Sequence, residues 1–121
     1  MHQQGAQAYQ QTAKIVESPR ERESALLMKA AASLQKIKDE WPDSYDSLKP
    51  ALVFNRKLWT IFMASVTKED NPLPADVRQN IANIGLFIMN QTREMLLQPQ
   101  PQKLDVLVRL NRQLAAGLRG N

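Results

Sequence analysis

A chain of 121 residues is the usual size of one domain and too short for two independent cores, so we read residues 1–121 as a single domain. Sixteen basic against twelve acidic residues, with 43% hydrophobic and 23% charged, is globular composition and excludes disordered or collagen-like chains. The absence of cysteine excludes disulfides, thiolate catalysis and thiolate metal sites, and the single histidine, His2, lies in a tail expected to fray over residues 1–5.

Seven prolines punctuate the chain, and the stretches between them hold few glycines and few β-branched alternations. The fold class expected is therefore all-α, a single compact bundle of about five helices. From Ala6 the apolar residues Tyr9, Ala13 and Val16 recur at spacings of four and three, one face of a short helix that stops near Glu17. Ser18-Pro19-Arg20-Glu21 then reads as a capping box with proline at the first helical position.

The second helix is expected from Pro19 to about Asp39, with Leu27, Ala30, Ala31, Leu34 and Ile37 as its apolar stripe. The small alanines permit close approach of a neighbour. A third helix is expected from near Ser47, which leaves Pro50 in the first turn, where its missing amide hydrogen breaks no ladder bond. Its stripe is Leu48, Leu52, Trp59, Phe62, Met63 and Val66.

Asn71-Pro72 marks the next turn, and Pro74 suits the first position of a fourth helix running to roughly Leu97. Val77, Ile81, Ile84 and Ile88 form one stripe there, while Leu86, Phe87 and Met89 spread apolar character around the cylinder. This pattern predicts a central helix contacted on several sides. Gly85 costs about 1 kcal/mol against alanine in a helix interior, so a close crossing by another helix is expected to offset it. After QPQPQ, a last helix from about Gln102 to Ala116 carries Leu104, Leu107, Val108, Leu114 and Ala115 inward, with Gly117 as a left-handed terminator and residues 117–121 fraying.

Asn55 and Asn111 fall on the core-facing stripes of the third and last helices. An unpaired buried amide costs about 1–3 kcal/mol. The first expectation is that each satisfies a backbone group at a helix end or loop; the sharper alternative is that they fix helix register or touch a partner chain.

No catalytic constellation is present in the sequence. The region expected to fold holds no histidine and no glycine-rich phosphate loop, and Asp39-Glu40 and Glu69-Asp70 fall at helix ends, facing water. Metal-ligand spacings such as the EF-hand loop are missing. The expectation is a non-enzyme with no cofactor and no metal.

No apolar run approaches the roughly 20 residues needed to cross a bilayer, and MHQQGAQAYQQ lacks the basic and apolar regions of a secretory signal. We expect a cytoplasmic protein without membrane insertion. A pI near 9.6 invites an RNA-binding reading, with Arg78, Arg93, Arg109, Arg112 and Arg119 in the C-terminal half, but the charges are mixed and no nucleic-acid motif accompanies them. Trp41, Trp59, Phe62, Phe87, Met28, Met63, Met89 and Met95 read first as core. A small bundle with more apolar stripes than it can cover must lay one on another chain, and methionine and aromatic residues suit a groove for an amphipathic helix.

The segments YQQTAKIVESPRERE, ALVFNRKLWTIFMASVT, NPLPADVRQNIANIGLFIMNQT and LVRLNRQLAAGL, in this order and spacing, resemble the FlaF family, small flagellar biosynthesis proteins of alphaproteobacteria. The resemblance runs from Tyr9 to Leu118. Arg22 departs from the less polar residue expected in relatives that carry the SPRE segment. It implies a cytoplasmic, non-enzymatic factor needed for flagellin production and filament assembly, acting as a flagellin-binding secretion chaperone, as a regulator of flagellin translation, or as both. The regulator would act on flagellin mRNA directly or through another flagellar regulatory protein. The expected partner is an amphipathic terminal helix of flagellin, and the candidate contacts are Tyr9, Asn55, Trp59, Met63, Phe87 and Met89.

Overall fold

The computed structural model describes residues 19–120. Among them the elements are α1 (Pro19–Asp39), α2 (Tyr45–Val66), α3 (Ala75–Leu97), a 3₁₀ turn at Pro101–Lys103 and α4 (Leu104–Leu118), with no strand. The expected helix over residues 6–17 and the Ser18 cap lie outside the described residues.

Helix α1 is the hub. Its Leu27, Ala30, Ala31, Leu34 and Ile37 are all buried, and it packs on α4 along one side and α2 along the other. The alanines Ala30 and Ala31, 2% and 0% exposed, are the reason two neighbours come close to one helix. The Ser24 hydroxyl donates to the Ala115 carbonyl at 2.9 Å, and Lys38 pairs with Asp105 at the other end. These contacts fix α1 and α4 as antiparallel. Helix α3, expected to be central, is instead peripheral: it packs on α2 and scarcely approaches the backbone of α4. Its spread of apolar residues leaves Leu86 and Phe87 exposed.

Short-range chemistry sets the turns. Between α1 and α2, the Ser44 hydroxyl donates to the Ile37 carbonyl at 2.5 Å, and Trp41 packs edge-on to Tyr45 with ring centres 5.5 Å apart. Tyr45 N–H donates to the Pro42 carbonyl, so α2 begins two residues before Ser47 and Pro50 sits inside the helix, past its first turn. Between α2 and α3, the Asn71 amide donates to the Ser65 carbonyl at 3.1 Å and its Oδ1 accepts from Leu73 N–H at 3.0 Å. That side chain closes the turn as an Asx motif. Pro74 is the cap of α3 and Ala75 its first helical residue. At the C-terminus, α4 continues through Gly117 to Leu118, and the left-handed position falls on Gly120, φ 83°. Gly117 therefore does not terminate the helix. Arg119 N–H still reaches the Ala115 carbonyl, so the last turn is hydrogen-bonded past that glycine.

Gly85 is the close crossing the sequence required. A β-carbon there would lie 2.5 Å from Met63 Cγ and Sδ, so α3 meets α2 where only a glycine fits beneath the methionine.

Candidate functional site

Two polar residues hold the centre of the bundle together. Asn111 on α4 accepts from the Trp59 indole N–H through Oδ1 at 2.8 Å. Its amide nitrogen donates to Asn55 Oδ1 at 2.7 Å and toward the Leu27 carbonyl at 3.4 Å. Trp59, Asn55 and Asn111 are each 0% exposed. The amides thus bond one another and an indole at mid-bundle rather than capping helix ends or loops, which joins α1, α2 and α4 in one register.

This placement decides which candidate contacts are accessible. Asn55 and Trp59 present no surface in this conformation, and Tyr9 lies outside the described residues. Met63 is half-buried over Gly85. Met89 is half-buried against the core. Phe87 is exposed, at 44%.

Helix periodicity separates the two edges of α3. Its buried stripe is Ile81, Gly85, Ile88, Thr92 and Met95. On one side of that stripe run Ala82, Met89 and Leu96, spaced by seven; their side of α3 lines hollows shared with α2, with Val66 and Thr67 at one end and Tyr45 and Lys49 at the other. On the opposite side run Val77, Ile84 and Gln91, with Phe87 beside them. Helix α4 divides in the same way. Asp105, Arg109 and Arg112 line a groove with Gln35 of α1, which turns the half-buried Leu110, Leu114 and Leu118 toward the opposite side.

The Ile84–Phe87 edge and the Leu110–Leu114 edge therefore flank one seam between α3 and α4, the pair of chain neighbours that fails to close. Its ends are marked. At one, Leu118 and Leu73 meet Pro19, Arg20, Glu23 and Ser65 around a hollow of about 370 Å³. At the other, Lys103 approaches Glu94 at 3.9 Å. Burial raises the Glu23 carboxyl above its ordinary range, against the opposing pull of Arg20. The seam is apolar along its walls and suits an amphipathic helix.

Sequence reasoning took Leu114 as core and passed over Leu110 and Leu118. Their spacing of four, offset from the buried Leu104, Leu107, Val108 and Asn111, is the signal that marks a second face. A separate exposed apolar set, Leu26, Phe54 and Ile61, lies on the α1–α2 side. The C-terminal arginines do not converge: Arg109 and Arg112 border α1, whereas Arg78 lies on the α2 side of α3 and turns toward the Lys68 carbonyl. Among the described residues no three His, Cys, Asp or Glu side chains come together, and no helix is long and apolar enough to cross a membrane.

No curated protein and no solved structure matches the chain. A family model described as Flagellar protein FlaF matches residues 5–118, nearly the full length, and the chain belongs to the FlaF family.

Proposed function

We propose that this protein is a non-enzymatic flagellar factor that binds monomeric flagellin in the cytoplasm, receiving an amphipathic terminal helix of flagellin in the α3–α4 seam as a secretion chaperone. The observation that carries the reading is the seam itself: apolar edges on two helices that lack each other's close contact, in a chain of a flagellar family. Ordering a segment on binding costs about 2–5 kcal/mol, and burial of apolar surface at roughly 25 cal/mol per Å² must exceed it. A hydrophobic seam supplies that term and scattered arginines do not.

The test is titration of purified protein with monomeric flagellin and, separately, with flagellin mRNA. The chaperone reading expects a complex with the protein whose affinity changes little with salt. Direct regulation of translation expects RNA binding that falls linearly with salt on logarithmic axes. RNA binding without flagellin binding overturns the chaperone reading.

A further inference from the structure

We infer that residues 6–17 of this chain fill the α3–α4 seam as its own fifth helix, so that the site is self-masked until a partner helix displaces it. Three observations converge on this occupant. First, the segment must leave the described bundle at Pro19, and Pro19 lies beside Leu73 and Leu118 at the mouth of the seam. Second, twelve residues of helix reach about 18 Å, whereas α3 runs about 25 Å from Val77 to Glu94 on the same rise; the segment fits within the seam's length. Third, Tyr9, Ala13 and Val16 form a narrow stripe bearing one large ring, suited to a cleft between two helices. Entering from Pro19, Val16 sits near Leu118, and Tyr9, about 10 Å further along, arrives near Ile84, Phe87 and Leu110.

The occupancy is a property of the isolated chain. Its role as a gate for flagellin rests on the function proposed above. Binding flagellin then requires exchange of one amphipathic helix for another in the same seam, and the free chain carries no exposed groove that invites aggregation.

The chain has no cysteine, so engineered pairs report proximity cleanly. In the full-length protein, Gln10→Cys with Asn80→Cys pairs the segment with the seam edge of α3. Gln10→Cys with Ile61→Cys is the control, because Ile61 is one turn from Ser65 at the same end of the bundle yet 66% exposed on the opposite face. A short bismaleimide is expected to join the Asn80 pair intramolecularly several-fold faster than the Ile61 pair, and Tyr9→Ser is expected to abolish that difference. Equal rates for the two pairs, or a faster Ile61 pair, overturn the inference. Added monomeric flagellin is expected to slow the Asn80 reaction. If flagellin binds and the reaction keeps its rate, the seam is not the flagellin site and the function reading fails, while the internal docking stands.

Discussion

The Trp59 indole N–H donates to Asn111 Oδ1 at 2.8 Å across the centre of the bundle, with both side chains 0% exposed. The bond spans α2 and α4, and the same asparagine carries the link onward to Asn55. Trp59→Phe removes the donor and part of the ring volume, and is expected to destabilise the fold by about 2–4 kcal/mol. Asn111→Leu strands Asn55 and the indole together. In a denaturation double-mutant cycle the pair should cost less than the sum of the singles by about 1–3 kcal/mol. Additive losses would show that the two residues act independently.

Met63 lies over Gly85 so closely that any β-carbon displaces it. Gly85→Ala should therefore destabilise the protein by about 1–3 kcal/mol through overpacking, despite the better helix propensity of alanine. In a Met63→Ala background the obstruction is gone, and the same substitution should stabilise by up to about 1 kcal/mol. Thermal unfolding of the four proteins checks the change of sign.

Thr92 is fully buried on α3, and its hydroxyl has no hydrogen-bond partner. Valine has the same shape without the polar atom. Thr92→Val is expected to be neutral or to stabilise by about 1 kcal/mol, read as a rise in the urea midpoint. A loss of stability would show that the hydroxyl is satisfied in solution.

Glu23 gives the fold a pH dependence of definite sign. Burial raises its folded-state pKa, with Arg20 pulling the other way, so the folded chain holds this proton more tightly than the unfolded chain. Its contribution to stability is largest below the ordinary glutamate range and declines as pH rises through the raised folded value. Glu23→Gln should flatten that decline. Urea midpoints measured across the interval from the ordinary glutamate range to neutrality test it, and an unchanged slope would place the source elsewhere.

The helices were legible from proline spacing and apolar stripes because both act locally. The start of α2 was misplaced by two residues because the bond from Tyr45 N–H to the Pro42 carbonyl and the Trp41–Tyr45 ring contact outweigh the local preference for Pro50 in a first turn. Gly117 was read as a terminator on propensity alone, whereas the left-handed position depends on where the last turn stops bonding. The centrality of α3 was misread because exposed and buried apolar residues look alike in one dimension. Leu86 and Phe87 widen its stripe whether or not another helix covers them. Asn55 and Asn111 were found on the core face by spacing, but their partners depend on how three helices meet. Phe87 was the accessible contact that spacing identified, and its seam partners Leu110 and Leu114 emerged only when α4 was seen to turn its charged edge to α1.

The central claim is that the α3–α4 seam receives the flagellin helix. Calorimetric titration of monomeric flagellin into Phe87→Glu and Ile61→Glu compares two exposed apolar positions on opposite faces. The account predicts that Phe87→Glu weakens binding by roughly 10- to 100-fold, the equivalent of losing about 1.5–3 kcal/mol of phenylalanine burial, with unfolding midpoint and Ile61→Glu affinity unchanged. Full affinity in Phe87→Glu together with loss in Ile61→Glu would contradict it.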